Sequence, residues 1–335
     1  MRIKGDDRLL VVQPLVGIGD MVWHKPWIDQ LISDNDVILA VKKASHAPLL
    51  FGDALPAENY LLIERNERGQ KGRHDGLLGL LALAQAFRKT GAKRALILHH
   101  SRTYHHAARL AGITDIAGFG FGKGRSSAKM LSKEDRPLHS LQKMAKFWKI
   151  NDWPQSENGW QIAIRDKAKL AAQNWLSHNN LVDKRFIVLG IGAMHKERLW
   201  PADRFAGLIK LMREKRSDLV PVIMGGPAER EIADTIQTQL GKEPAITLFE
   251  PLDDGIAALS MASGYVGNDT SLLNIAAVLG VPSLGLFSQS APLTYVENLH
   301  HLDIIAEKDY GRAGIILSYQ VDDVFDALQK LHPAV

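Results

Sequence analysis

Short hydrophobic runs alternate along the chain with longer segments whose hydrophobic positions recur about every 3.6 residues. The short runs are rich in β-branched residues and end at turn-forming residues, which predicts buried strands. In order, they cover residues 9–13, 36–41, 60–64, 95–100, 186–192, 219–226, 245–250, 263–269 and 281–287. The helical spacing is clearest over residues 21–32 and 77–88. Both halves of the chain therefore have the rhythm of βαβ units.

Strands that alternate with helices predict an α/β fold in which each half forms a doubly wound parallel sheet. The length of 335 residues also exceeds what one hydrophobic core usually supports. A polar stretch that follows Pro154 separates the halves, so we predict domains at 1–155 and 180–335 with a linker at 156–179. Because ligands bind beyond the carboxyl ends of such strands, we expect the chemistry in a cleft between two facing domains.

Charge is distributed unevenly between the halves. Residues 1–150 contain 24 Lys and Arg against 14 Asp and Glu, a net +10, whereas the remainder contains 17 against 23, a net −6. A basic half suggests an anionic partner, either nucleic acid, a phospholipid surface or a phosphorylated glycan, although a solvated basic surface would look the same. Nucleic acid is disfavoured because the basic residues do not interleave with aromatic side chains.

The absence of cysteine excludes disulfides, thiolate metal sites and cysteine nucleophiles. The longest apolar stretch, residues 77–87, is shorter than the roughly 20 residues of a membrane-spanning helix. The amino-terminal segment lacks the pattern of a signal peptide. We therefore expect a cytoplasmic protein.

Two glycine-rich segments fail as nucleotide-binding motifs. Gly17-Ile18-Gly19 follows the first predicted strand, but Val22 occupies the third glycine position and no acidic residue ends the second strand, so NAD is excluded. Residues 118–125 lack the spacing and the Ser or Thr of a P-loop. The histidines within residues 99–106 have no acidic ligand at helical spacing, so we expect no metal site there.

Three segments together resemble glycosyltransferase family 9, which includes the heptosyltransferases. Residues 11–31 carry a strand, a Gly-x-Gly-Asp turn and a proline six residues after the aspartate. Residues 192–209 carry a basic residue two positions before Trp-Pro, followed by a helical pattern. Residues 267–292 are similar to the family's Asp-Thr-Gly-x-x-His-x-Ala-Ala-x-Gly-x-Pro run. Weaker similarities occur at 107–120 and 225–231.

The resemblance implies a GT-B type fold of two facing Rossmann-like domains and an inverting glycosyl transfer that needs no metal or other cofactor. The implied donor is a nucleotide sugar, with ADP-heptose as the family's best-known example. The implied acceptor is the lipopolysaccharide core or a similar anionic glycolipid or oligosaccharide, which would bring the protein into peripheral contact with the inner membrane. Two alternatives stay open: a nucleotide-sugar epimerase of the same architecture, and a catalytically silent glycan-binding protein.

Asp20 matches the family's catalytic aspartate and is our candidate for the base that deprotonates the acceptor hydroxyl. An aspartate at this position could instead cap the first helix. Gly19, beside it in the turn, is expected to contact the donor.

Further donor-binding candidates lie in the second half. Arg198 and Lys196 are candidates to neutralise the leaving diphosphate, together with the backbone of Thr270 and Ser271 at the start of a predicted helix. Asp269 suits the hydroxyl groups of the donor sugar and Glu229 the ribose diol, although both could be helix caps. Ser271 and Asn274 replace the family's usual glycine and histidine, which puts the identity of the donor in doubt.

The acceptor is expected to meet a basic loop after the third strand. Its candidate residues are Arg65, Arg68, Lys71 and Arg73. Such a loop can clamp carboxylates or phosphates, although it could also be a solvated basic segment.

Overall fold

The computed structural model describes residues 5, 7–65, 69–120, 128–154, 159–289 and 291–333. The chain divides into two compact units, Met1–Ala163 and Ile164–Val335. The division falls within the range that we predicted as a linker, 156–179. The later part of that range is not a connecting segment, however, because Asp166–His178 forms a helix that packs within the second unit.

The first unit is a parallel five-stranded sheet with the order β3-β2-β1-β4-β5. Its strands are β1 Leu9–Gln13, β2 Val37–Val41, β3 Tyr60–Leu62, β4 Arg94–Ile97 and β5 Asp115–Gly118. Its helices are α1 Ile18–Asp34, α2 Ala47–Phe51, α3 Gly76–Lys89, α4 Arg102–Leu110 and α5 Ser140–Ile150.

Both faces of this sheet are buried. Leu10 and Val12 of β1 belong to a hydrophobic cluster with residues of α3 and α4 on one face. Leu9 and Val11 are fully buried on the other, since successive strand residues point to opposite faces. Right-handed crossovers place α1 and α2 on that face. The strand order reverses between β1 and β4, so the carboxyl ends of these two strands form the topological switch point where ligands bind in such sheets.

The second unit repeats the arrangement with six parallel strands in the order β11-β10-β9-β6-β7-β8. The strands are β6 Arg185–Gly190, β7 Leu219–Met224, β8 Ile246–Leu248, β9 Gly264–Asn268, β10 Ser283–Leu286 and β11 Leu299–His301. The helices are α6 Asp166–His178, α7 Ala202–Lys215, α8 Arg230–Leu240, α9 Leu252–Leu259, α10 Ser271–Val278 and α11 Val321–Leu331. Here the switch point lies between β6 and β9.

Every predicted strand run overlaps one observed strand, and the predicted class of two Rossmann-like doubly wound domains is confirmed. The sequence analysis missed β5 and β11. Their sequences, DIAG and LHH, contain one β-branched residue between them and no Tyr, Phe or Trp, so they carry few of the residues that are enriched in strands. Among the described residues, no helix is long and apolar enough to cross a membrane.

Candidate active site

Asp20 lies in the first turn of α1, directly beyond the carboxyl end of β1 and thus at the switch point of the first unit. Its carboxylate Oδ2 accepts a hydrogen bond of 3.1 Å from the backbone N–H of Gly17. Burial raises the pKa of Asp20 above its ordinary value, and the Gly17 N–H opposes this effect by stabilising the carboxylate. The N-cap of α1 is Gly17, so Asp20 does not occupy the capping position but accepts the N-cap N–H from the third helical position. With its raised pKa it is also a stronger base than a solvated aspartate.

The turn before Asp20 leaves little room for a side chain at Gly17. A Cβ atom on Gly17 would lie 2.7 Å from the Asp20 Oδ2 atom, closer than a carbon and an oxygen can approach without displacement. The glycine thus lets the carboxylate fold back over the turn. This contact gives a steric reason for the first glycine of the Gly-x-Gly-Asp pattern.

His24 lies one helical turn after Asp20 and is fully buried. Its Nδ1 atom lies 3.2 Å from Nε2 of Gln13, the last residue of β1. Burial and the nearby His139 lower the pKa of His24 to about 3. The imidazole is therefore neutral at physiological pH and links α1 to the strand that precedes it. The sequence analysis did not identify this pair.

Several cationic side chains converge at the same edge of the first sheet. His99 follows β4, and its pKa is lowered to about 4 by burial and by the charges of His100, Lys42, Arg65 and Lys143. Lys42, which follows β2, is only 6% exposed. We did not identify Lys42, His99 or Lys143 from the sequence. Lys42 and His99 each follow a strand, and Lys143 lies on α5. Many residues in the sequence have such positions, so position alone does not identify these three as site residues.

The predicted acceptor loop is closed at its base. His74 donates its backbone N–H to the carbonyl of Glu64, and the Glu64 N–H is donated to Nδ1 of His74. Arg65 lies at this base, 3.7 Å from Asp75 and against the ring of Tyr104. Lys71 and Arg73 are exposed. Arg68 lies outside the described residues.

In the second unit, Asn268 at the end of β9 organises the segment that follows β6. Its Oδ1 atom accepts a 2.9 Å hydrogen bond from the Trp200 backbone N–H. Its Nδ2 donates to the carbonyls of Ile191 and Gly192. Asn268 is fully buried, so these bonds fix both ends of the segment that carries Lys196 and Arg198. The sequence analysis also missed this residue.

Arg198 and Asp269 lie together at the switch point of the second unit. The guanidinium Nη1 of Arg198 is 3.4 Å from Oδ2 of Asp269. Burial raises the pKa of Asp269, and the charge of Arg198 lowers it. The long contact engages one of the guanidinium nitrogens, while the buried Nε of Arg198 has no hydrogen-bond partner among the residues that the structure describes. The sequence analysis places these two residues at different parts of the donor, whereas the structure pairs them with each other.

The predicted helix after Asp269 is α10, with Thr270 as its N-cap and Ser271 as its first residue. Asn274 is buried in it, donates a 2.9 Å hydrogen bond to the Thr270 carbonyl and accepts a 2.6 Å bond from the Tyr295 hydroxyl. The Asn274 side chain therefore contacts protein groups that hold the start of α10 in place.

Glu229 follows β7 and folds back so that its Oε2 accepts a 2.7 Å hydrogen bond from the Gly226 N–H. A Cβ atom on Gly192 would lie 3.1 Å from the Glu229 side chain, so Glu229 adjoins the carboxyl end of β6. The second unit thus brings Glu229 near Gly192, and Arg198 near Asp269. Lys196 is exposed nearby in sequence.

The histidine-rich segment shows no cluster of ligands. The rings of His99 and His100 have centroids 6.4 Å apart, and His105 packs against Gly120. Within the part of the chain that the structure describes, no three His, Asp or Glu side chains converge as a metal site would require.

Comparison with known proteins identifies the family of the chain. The sequence matches the family model described as glycosyltransferase family 9 (heptosyltransferase) over residues 80–309. A search of curated proteins finds no match.

Solved structures resemble the chain over nearly its whole length. A glycosyl transferase family 9 structure from Veillonella parvula has 20% identity and a TM-score of 0.78, covering 99% of this chain and 98% of that one. The E. coli ADP-heptose LPS heptosyltransferase II has 18% identity and a TM-score of 0.71, with 97% and 98% covered. E. coli heptosyltransferase WaaC with ADP-2-deoxy-2-fluoro heptose has 17% identity and a TM-score of 0.67, with 96% and 99% covered.

At these identities the structures show a common fold, whereas the family model spans well over half of the sequence. The chain belongs to glycosyltransferase family 9, the heptosyltransferase family.

Proposed function

We propose that this protein transfers a heptose from ADP-heptose to a lipopolysaccharide core or a similar anionic glycan acceptor, with inversion and without a metal ion. Family membership supports the reaction class. The WaaC structure, which has a similar fold, was solved with an ADP-heptose analogue, and this supports the choice of donor. The observation that carries the proposal is Asp20, a carboxylate of raised pKa at the switch point of the first sheet.

In the proposed reaction, the Asp20 carboxylate takes the proton of the acceptor hydroxyl while the hydroxyl oxygen attacks the anomeric carbon of the heptose. The bond from that carbon to the diphosphate breaks on the opposite face, and ADP leaves. A base whose pKa lies nearer the working pH accepts the proton more readily, and a positioned base contributes roughly 10² to 10⁴ in rate. Burial of Asp20 has this effect on its pKa.

The leaving diphosphate gains negative charge, which the second unit can stabilise. The N-terminus of α10 offers backbone N–H groups and the positive end of a helix dipole, worth about 0.3–1 kcal/mol. Arg198 adds a cationic donor, since its 3.4 Å contact with Asp269 engages Nη1 and leaves other guanidinium N–H groups for a phosphate. Asp269 and Glu229 can accept hydrogen bonds from the sugar and ribose hydroxyls, respectively.

The acceptor side is supported by the cations at the edge of the first sheet. Lys42, Arg65 and Lys143 lie close enough to His99 to lower its pKa, and Lys71 and Arg73 are exposed in the loop that begins at Arg65. We assign the anionic groups of the acceptor to these side chains, because phosphates and carboxylates bind most strongly to charged donors.

The test is product analysis after incubation with ADP-heptose and a lipopolysaccharide-core acceptor. The expected products are ADP and the glycosylated acceptor of inverted configuration, formed equally well in the presence of a chelator. Asp20→Asn should lower turnover at least about a hundredfold while the fold and the affinity for ADP are retained. An epimerised donor without a glycosylated acceptor would identify an epimerase instead. Failure to bind ADP at about millimolar concentration, which is far above useful donor affinities, would favour a silent glycan-binding protein.

A further inference from the structure

The first two turns of α3 expose a leucine surface, made of Leu77, Leu78 and Leu81. These residues are 77%, 81% and 52% exposed, respectively. The outward face of a helix on a globular domain is normally polar, because only the inward stripe needs to be apolar. On α3 the exposed positions become polar only later, at Gln85, Arg88 and Lys89. Core packing therefore does not explain these leucines.

The surroundings of the leucine surface are cationic. Residues 76–114 contain six Lys and Arg and no Asp or Glu. α4 packs beside α3, and Arg88 of α3 donates to the carbonyl of Leu110 at the end of α4. α4 exposes Arg102, His106 and Arg109 at positions that share its outer face. Apolar side chains thus stand next to a face that carries positive charge and no acidic residue.

The leucine surface also lies at the functional edge of the first unit. α1, α3 and α4 each begin after the carboxyl end of a strand in the same parallel sheet, so their N-termini share one edge. Asp20 is in the first turn of α1, and the leucines are in the first two turns of α3. An acceptor whose lipid tails sit in a membrane would have to present its glycan at this edge.

We propose that the leucine surface and the outer face of α4 dock on an anionic lipid bilayer, with the leucines inserted at the boundary between headgroups and acyl chains. Exposed aliphatic residues flanked by Lys and Arg are the combination that binds such interfaces. A protein partner fits less well, because binding surfaces for proteins are enriched in aromatic anchors that this patch lacks. The link to a glycolipid acceptor rests on the proposed function, whereas docking itself needs neither donor nor acceptor.

Flotation with vesicles tests the proposal on the full chain without nucleotide. The wild type should bind phosphatidylcholine vesicles that contain about 30 mol% phosphatidylglycerol, and bind pure phosphatidylcholine much more weakly. The variant L77Q/L78Q/L81Q should lose about tenfold or more in partition coefficient, since three exposed leucines no longer enter the bilayer. The matched control is Leu170→Gln on α6, a leucine that is 58% exposed in the second unit, and it should bind as the wild type does.

The charge contribution has its own variant. R102Q/R109Q should lose about fivefold in binding to the anionic vesicles for each charge removed, with the loss diminishing at high salt. Circular dichroism and thermal melting should show that both multiple variants fold, because every substituted side chain is exposed.

Equal vesicle binding by the triple-leucine variant, or no binding by the wild type, would overturn the proposal. Sedimentation equilibrium separates the main competitor: a wild-type dimer that the triple variant dissociates, without vesicle binding, would mean that a second copy covers the leucines. Transfer to a water-soluble acceptor fragment should be unchanged in the triple variant. If the wild type docks but transfers nothing, the proposed function fails and the docking surface stands.

Discussion

Two opposing effects, burial and one hydrogen bond, act on the pKa of Asp20. Burial disfavours the ionised carboxylate, and the Gly17 N–H stabilises it. The net effect raises the pKa of Asp20, so its carboxylate has a higher proton affinity than that of a solvated aspartate. The steric condition is the missing side chain at Gly17, since a Cβ atom there would lie only 2.7 Å from the carboxylate oxygen.

Gly17→Ala should therefore impair the reaction without breaking the fold. The backbone of Gly17, with φ −82° and ψ 142°, is accessible to alanine, so the clash falls on the Asp20 carboxylate alone. A displacement approaching 1 Å can lower turnover by up to about a hundredfold. Steady-state kinetics should show reduced kcat with the affinity for ADP unchanged in calorimetry.

The control for this variant is Gly207→Ala on α7, where the new Cβ would meet a Val321 methyl group at 3.3 Å. It should keep wild-type kcat. If Gly17→Ala also keeps full kcat, the carboxylate geometry seen here has no part in the reaction.

At the level of elements, each unit uses a buried polar residue at the end of a strand to hold a segment that lies beside it. In the first unit Gln13 of β1 contacts His24 of α1, and in the second Asn268 of β9 bonds to the segment after β6. Both residues are fully buried. Asn268 makes three hydrogen bonds, and Gln13 contacts the imidazole ring of His24. These contacts position the elements that carry the proposed site residues, α1 with Asp20 and the segment with Arg198.

Asn268→Ala should weaken both stability and donor binding. It leaves the Trp200 N–H and two carbonyls buried without this partner, which costs about 1–3 kcal/mol in the free energy of unfolding. It also frees the segment that carries Arg198, so the affinity for ADP should fall. Urea denaturation and calorimetric titration measure the two effects.

Asn179→Ala is the matched control, because Asn179 makes one local bond to the Trp175 carbonyl at the end of α6. Asn179→Ala should lower the free energy of unfolding by less than Asn268→Ala does, and it should leave the affinity for ADP unchanged. If Asn268→Ala binds ADP with wild-type affinity, the hydrogen bonds of Asn268 contribute to stability and not to donor binding.

Across the whole molecule, buried histidines couple stability to pH. Burial is the first cause of the lowered pKa of His24, to about 3, and of His99, His105 and His332, each to about 4. In the unfolded chain these groups titrate near 6.5. Between the two values the unfolded state binds more protons, so stability is present in full above about pH 6.5 and is lost as the pH falls towards 4.

We expect the free energy of unfolding to fall as the pH drops from 7 to about 5, with each buried histidine contributing a slope of up to about 1.4 kcal/mol per pH unit. His24→Gln should reduce that slope by up to one histidine's share, because the replacement cannot titrate. Urea denaturation at several pH values measures the slope, and the exposed His178→Gln serves as control. An unchanged slope in His24→Gln would contradict the assignment.

The βαβ rhythm, the two doubly wound units and the order of the family motifs could all be read from the sequence. These features depend on local periodicity and on short segments whose residues are neighbours in the chain. The position of Asp20 in the first turn after β1 was predictable for the same reason, as was the helix that begins at Ser271. The weakest local signals, β5 and β11, were the ones missed.

Only the tertiary structure decided which distant residues meet. The pairing of Arg198 with Asp269, the bonds of Asn268 and the cations around His99 join segments that lie tens of residues apart, and no spacing rule reports such contacts. The exposure of the α3 leucines was likewise decided by the tertiary structure. Their pattern in the sequence is that of an ordinary apolar helix, and the direction in which each leucine faces depends on how α3 lies against the sheet and α4. Burial is a property of the packed molecule, because it depends on all the neighbours that folding brings together.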